Sequence, residues 1–389
     1  MFQADRWLAL VVEPDDQARA ATKRLLQRLR PHWQLEMFPD ALSASQYLIH
    51  QAVAPHVLIT DRLDASLRGE ELLEFCASHS PATIRILMSA ENDDAVMVAA
   101  VQSAQMLLGK PFTDQDLLVI FQRVEQIIEG PFSEHARYQL GTLQALPIQR
   151  RQYQQILALL DDEDSSQREL AAALARDAPL AGRLIQMANS AYLGFRRQTL
   201  DLQEVVSRLG REMIKAIMQA FLLNQQYQGR IEQQLHQQLQ DYAVALASVA
   251  FQLARSQCRD DATLAEKAYV AGLMQALGPL ALLATQPLNS QQLTQEDMFQ
   301  DGVADHCVLT GYLMTLWGFS PDICAAAMYR LNLQASGRVD RLQAVLHLAS
   351  YVLYLQQKDP TGAPMTPDLA ALERFALTDS FLNAEQKKS

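Results

Sequence analysis

The chain has 389 residues, a formal net charge of −11, 49% hydrophobic residues and 20% charged residues. That is enough for two domains with real cores, and it argues against a nucleic-acid partner, which needs clustered Lys and Arg. The four cysteines, Cys76, Cys258, Cys307 and Cys324, form no CxxC pair, so neither a zinc motif nor a disulfide framework is indicated. No apolar run approaches the ~18 residues of a membrane span. Residues Met1–Arg6 lack the order of a signal peptide, so a cytoplasmic protein with reduced thiols is expected.

In chain order, short apolar runs at Leu8–Val12, Val57–Thr60, Ile84–Met88 and Met106–Gly109, with a further strand at Gln34–Phe38, alternate with helix-length amphipathic stretches. The stretches are Gln17–Leu29, Ala41–Gln51, Glu70–Ser78, Ala95–Ser103 and Asp114–Ile128. Strand then helix, repeated five times, predicts an α/β fold with a doubly wound, parallel, five-stranded sheet. Thr113, followed by Asp114 and Asp116, marks the start of the last of these helices.

Four polar residues directly follow these runs: Glu13, Asp61, Ser89 and Lys110. Parallel strands bring their carboxyl ends to one rim of the sheet, where open α/β folds place their sites. Two acids, a hydroxyl and a lysine on one rim point to phosphoryl chemistry on an aspartate.

After Phe132 the strand signal ends and helix starts and stops follow one another. Ser166 with Glu169 and Asp201 with Glu204 fit capping boxes. Ser320-Pro321 and Thr366-Pro367 fit an N-cap followed by proline at the first helical position. Leu170–Arg176, Tyr242–Arg255 and Ala265–Ala284 are rich in Ala and Leu. In glutamine-rich Asn224–Gln240, Ile231, Leu235 and Leu239 fall on one helical face. An all-α second domain is expected, with the break at Glu129–Glu134. The boundaries are read as 1–129, a linker at 130–139, a helical domain at 140–360, and a C-terminal helical extension and tail at 361–389.

The first half resembles the receiver domain of two-component response regulators. The resemblance rests on Asp61 with Gly69 eight positions later, Ser89, and Lys110-Pro111. It implies that Asp61 is the phosphoacceptor, that Ser89 and Lys110 bind the phosphoryl group, and that Glu13 and Asp61 hold Mg²⁺. The chain departs from the family where Pro14 replaces the second acid, Leu107 replaces an aromatic, and Ala65 replaces a loop proline. Weakened Mg²⁺ binding is expected from Pro14.

The second half resembles the HDOD family, helical relatives of HD-type metal phosphohydrolases. The carrying residues are Leu146-Pro147, Asp177-Ala178-Pro179-Leu180, the signature Asn189-Ser190 with Ala191-Tyr192, Leu209-Gly210, Ala271-Gly272-Leu273, Asp305-His306 and His347. Gln275 and Ala276 stand where the enzymes carry a His-Asp metal dyad, Asp241 and Tyr242 replace an upstream ligand, and Arg330 and Leu331 replace a later one. The implied HDOD module is catalytically silent and binds no cofactor. His306 and His347 read as helix-packing histidines, Asp305 as a helix cap, and Asn189-Ser190 as a helix terminator. The implied partners are a histidine kinase and a downstream signalling protein, a kinase or a cyclic-di-GMP enzyme, with neither nucleic acid nor membrane; a homodimer stays open. The competing readings are a phosphorylation-independent pseudo-receiver scaffold and a metal-dependent phosphohydrolase using His306 and His347.

Overall fold

The computed structural model describes residues 7–51, 53–62, 68–90, 98, 103–143, 146–190, 193–195, 197–223, 231–258, 261, 263–285 and 302–386. The described chain separates into two compact units. One is formed by residues 1–145 with segments 189–198 and 216–224, and the other by the remainder.

The first unit is built on five parallel strands: β1 (Leu8–Val12), β2 (Gln34–Phe38), β3 (Val57–Asp61), β4 (Ile84–Ser89) and β5 (Met106–Gly109). Their spatial order is β2-β1-β3-β4-β5, the doubly wound order of flavodoxin-like folds. β1, β3 and β4 are buried along their whole length, as continuous apolar runs covered on both faces require. β2 lies at the edge and is half-exposed. Helices α1 (Asp16–Leu29), α2 (Ala41–His50), α3 (Gly69–His79) and α4 (Asp114–Glu129) alternate with the strands. Thr113 and Asp116 form the capping box of α4, and Leu117, Phe121 and Val124 turn its apolar stripe inward. The helix expected over Ala95–Ser103 lies outside the described residues apart from Val98 and Ser103. Residues 134–139, read as linker, and residues 140 and 141, read as the start of the helical domain, form one helix, α5 (Glu134–Gly141), capped by Ser133.

The second unit is helical: α6 (Arg150–Asp161), α7 (Gln167–Leu174), α8 (Ala178–Ala188), α9 (Leu202–Leu223, of which residues 202–215 belong to this unit and 216–223 to the first), α10 (Gln233–Gln257), α11 (Leu264–Leu273) and α12 (Leu277–Thr285). It continues with α13 (Asp305–Leu316), α14 (Pro321–Tyr329), α15 (Arg341–Leu355), α16 (Leu369–Arg374) and α17 (Thr378–Gln386). Every residue of α8 and of α13 is buried. α9 is two helices joined across Gly210, whose φ of 74° only glycine adopts without strain.

Several helix boundaries differ from the sequence expectation. The Ala265–Ala284 helix is broken by a 3₁₀ turn at Met274–Ala276, because Pro279 has no N–H to return to the Gln275 carbonyl. Helix α16 starts after Asp368, whose carboxylate takes the Ala371 N–H, and not at Thr366-Pro367. A carboxylate within reach of an orphan N–H makes the better N-cap. Asp305 is the first residue inside α13 and Ala304 is its N-cap. The Ser166–Glu169 capping box and the Ser320-Pro321 start stand as read. Leu264–Thr285 is long and apolar enough to cross a membrane, yet 89% of its most apolar window is buried inside the fold. All four cysteines are buried, and none forms a disulfide among the described residues.

Candidate functional site

Strand register assembles the rim of the first unit. Val12 pairs with Thr60, which brings Glu13 beside Asp61. Ser89 pairs with Gly109, which brings it beside Lys110. Glu13, Asp61 and Ser89 are 3%, 8% and 1% exposed, so their charges and hydroxyl sit in a semi-enclosed pocket of low dielectric. The Lys110 ammonium donates to Glu13 Oε2 at 2.5 Å and to Asp61 Oδ2. Burial opposes the lysine's charge, but its hydrogen bonds to Asp61 and Glu13 outweigh this and hold its pKa above the usual value. Lys110 N–H also donates to the Ser89 carbonyl at 2.7 Å.

The α3 start is fitted to this rim. A Cβ on Gly69 would lie 2.1 Å from the Asp61 carbonyl oxygen, so only glycine lets the helix approach the strand end. The acids after Pro14 are committed elsewhere. Asp15 caps α1 by accepting the Ala18 N–H at 2.7 Å, and Asp16 pairs with Arg19. Leu107 is a buried β5 residue. Ala65 lies outside the described residues.

The fit to Mg²⁺ follows from these donors. Two carboxylates, Glu13 and Asp61, face one pocket, and a hydrated Mg²⁺ needs only one or two. The group therefore fits, with fewer acids than the receiver pattern supplies.

A second polar centre lies inside the helical unit, around Arg330. This side chain is 1% exposed. Its Nε donates to Gln275 Oε1 at 2.7 Å and its Nη1 to the Tyr242 hydroxyl at 3.2 Å. Its Nη2 lies 3.4 Å from His306 Nε2, and Asp359 Oδ2 is 3.9 Å away from Nη1. Burial disfavours the guanidinium's charge, but Tyr242, Cys307 and Asp359 around it raise its pKa further above the ordinary arginine value. The Gln275 amide donates to the Ala271 carbonyl at 2.9 Å and the Ala327 carbonyl at 3.4 Å. His347 lies 2.7 Å from the Arg330 carbonyl through Nδ1 and accepts the Asp368 N–H through Nε2 at 3.0 Å. Its ring is thereby fixed as the neutral Nδ1–H tautomer, in keeping with a pKa that burial lowers.

The sequence marks Gln275, Tyr242, Arg330, His306 and His347 separately. The structure brings all five together, and His306 and His347 both pack as buried, bonded histidines. Asp359 had no sequence signal, because a lone acid beside Pro360 reads as a loop residue. Asn189 and Ser190 follow the last residue of α8 and are half-buried. Ala191 and Tyr192 of that motif lie outside the described residues.

Residues 146–333 match the HDOD domain family. Among solved structures the chain is similar to the MmoQ response regulator of Methylococcus capsulatus str. Bath, at 22% identity over 59% of this chain and 97% of that one, with a TM-score of 0.42. It is also similar to the signal receiver domain of an HD domain-containing protein from Pseudomonas fluorescens Pf-5, at 25% identity over 31% of this chain and 95% of that one, with a TM-score of 0.28. Comparison with curated proteins finds no match. The sheet order and rim define a receiver-type α/β unit. The chain joins that unit to a helical one, in which residues 146–333 match the HDOD family.

Proposed function

We propose that the chain is a phosphorylation-controlled adaptor: Asp61 accepts a phosphoryl group, and the HDOD domain turns that event into protein–protein association without chemistry of its own. The observation that carries the reading is the contact of the Lys110 ammonium with both Asp61 and Glu13 on the rim. An oxygen of the Asp61 carboxylate attacks the phosphorus of a phosphohistidine. The P–N bond breaks, the imidazole leaves, and an acyl phosphate remains on Asp61. Lys110 and the Ser89 hydroxyl stabilise the charge spread over the equatorial oxygens. Glu13 and Asp61 would hold Mg²⁺, which when bound supplies further neutralisation of those oxygens. The added charge breaks the present Lys110 pairing, and that is the signal at the β4 and β5 ends.

Catalytic silence of the HDOD domain is supported by Arg330. A buried guanidinium in contact with Gln275 and adjacent to His306 repels a divalent cation, and Gln275 and Ala276 offer no anionic ligand. Asn189 and Ser190 serve as the signature turn after α8. The domain division at 129/140, the cytoplasmic setting, a histidine kinase as donor and a downstream kinase or cyclic-di-GMP enzyme as target belong to the same reading.

Intact-mass measurement after incubation with acetyl phosphate and Mg²⁺ tests it. One phosphoryl increment is expected on the wild type and none on Asp61→Asn. An unmodified wild type would favour the pseudo-receiver scaffold, and an increment surviving Asp61→Asn would place the acceptor elsewhere. Stoichiometric Mn, Fe or Zn on purified protein would revive the phosphohydrolase.

A further inference from the structure

Helix α17 is held unlike any other helix of the second unit. The chain before it is anchored: Ala371, Leu372 and Leu377 are buried, and the Leu377 N–H donates to the Leu372 carbonyl at 2.8 Å. Beyond Leu377 no residue of α17 is buried. A ring contact and a hydrogen bond join it to α15. The Phe381 ring stacks on Tyr351 with centroids 5.7 Å apart and planes 30° apart. The Tyr351 hydroxyl donates to Glu385 Oε1 at 2.5 Å.

The surface under α17 is larger than the helix uses. A groove of about 710 Å³ runs between Val249 and Leu253 of α10, Val352 and Leu355 of α15, and Asn383 and Ala384 of α17. Gln252, Ser256 and Gln356 give its walls a polar margin around these apolar residues, and the small Ser380 and Ala384 of α17 leave the apolar stretch unfilled. The tyrosine platform also continues past α17: Tyr354 stacks on Tyr351 at 6.2 Å and is 38% exposed. On the outer side of the helix Leu382 is 50% exposed. A nine-residue helix with no buried residue has little stability of its own, since isolated helices this short are marginal in water. Its docking therefore stands at the weak end of the local stability range.

We infer that the groove between α10 and α15 is a docking surface for an amphipathic helix of another protein, presenting an aromatic ring and a carboxylate four residues apart, and that α17 fills it in cis as a displaceable occupant. The ring takes the place of Phe381 on Tyr351, and the carboxylate takes the Tyr351 hydroxyl, as Glu385 does. Leucine-sized side chains at the positions of Ser380 and Ala384 fill the trough that α17 leaves open. The partner thus buries apolar area that the cis helix cannot, in the helix-in-groove manner. This inference goes beyond the phosphoryl chemistry and does not depend on Asp61.

The test uses the full chain and a fluorescein-labelled peptide spanning residues 377–386 with Ser380→Leu and Ala384→Leu. Binding is compared between the wild type and the double variant Phe381→Ala/Glu385→Ala, in which the cis helix is released. The variant is expected to bind about ten-fold more tightly, because the wild type's own helix competes at high effective concentration. Adding Tyr351→Phe to the variant should weaken binding about ten-fold, by loss of one hydrogen bond to a charged group. Hydrogen exchange on the unmodified chain needs no substitution: amides of 378–386 should exchange far faster than those of 341–355. Equal binding to both forms, no saturable binding to the variant, indifference to Tyr351→Phe, or protection of α17 equal to that of α15 would each overturn the inference.

Discussion

At Arg330 one side chain satisfies Gln275 and Tyr242 and lies within 4 Å of His306 Nε2 and Asp359 Oδ2. Arg330→Ala would therefore leave the Gln275 amide oxygen and the Tyr242 hydroxyl without that donor and take the cation away from the Asp359 carboxylate. A loss of about 3–5 kcal/mol is expected in urea unfolding. Arg330→Lys should recover only part of it, because a single ammonium cannot reproduce the planar fork. Asp177 and His236 offer a pH test of the same interior. Burial pushes the Asp177 carboxyl up to about 7, against the hydrogen bonds from Leu180 and Gln149 that favour its charge. Burial pushes His236 down to about 4. The folded state therefore holds the Asp177 proton more tightly than the unfolded chain does, and this contribution falls as pH rises from about 4 to about 7. The neutral His236 contributes stability above its ordinary 6.5 and loses it as pH falls toward about 4. The two slopes oppose each other in the overlapping window. Asp177→Asn should be more stable than wild type at about pH 8 and should lose stability more steeply on acidification; His236→Gln should gain stability on acidification. Denaturant midpoints at about pH 5, 6.5 and 8 read both effects.

Helices and strands meet at close approaches that fix where side chains land. A Cβ on Gly69 would press on the Asp61 carbonyl at 2.1 Å, and one on Gly278 would lie 1.7 Å from the His306 carbonyl. Both obstacles are backbone, so neither can rotate away. Gly69→Ala is expected to cost about 1–3 kcal/mol and to slow phosphoryl uptake, because the strand end carrying Asp61 must shift. Gly278→Ala should cost a similar amount with uptake unchanged, which separates a site effect from a stability effect. The strands were legible in the sequence because the apolar runs of β1, β3 and β4, buried along their whole length, require a parallel sheet covered on both faces. Glu13, Asp61, Ser89 and Lys110 were legible because each directly follows a short apolar run. The break at Met274–Ala276 was not, since Ala and Leu propensity carries the helix through while one missing N–H at Pro279 tightens it. The start of α16 after Asp368 was also hidden, because Thr366-Pro367 offers the stronger local pattern two residues earlier. Arg330 was seen only as a substitution. A charge reads as surface, and its partners at 242, 275, 306 and 359 are joined only by tertiary packing.

Each compact unit has its own core, so unfolding should not be a single all-or-none event for the whole chain. The tryptophans provide separate probes: Trp7 and Trp33 lie in the α/β unit and Trp317 in the helical one. In a Trp317→Phe background, fluorescence reports the α/β unit while far-ultraviolet circular dichroism is dominated by the long helices of the other. The two transitions are expected to have different midpoints. Lys110→Ala leaves the Asp61 and Glu13 carboxylates facing each other without their cation, and it should lower only the fluorescence midpoint. Arg330→Ala should lower only the dichroism midpoint. Coincident transitions that move together would instead show one cooperative body. The same two probes read the proposed switch. Binding linkage is reciprocal, so if a phosphoryl group on Asp61 alters the helical unit, phosphodonor must shift the dichroism midpoint although the new charge sits in the other unit. That shift should vanish in Asp61→Asn. A phosphorylated chain whose helical midpoint stays fixed would leave the receiver chemistry intact and remove its connection to the HDOD output.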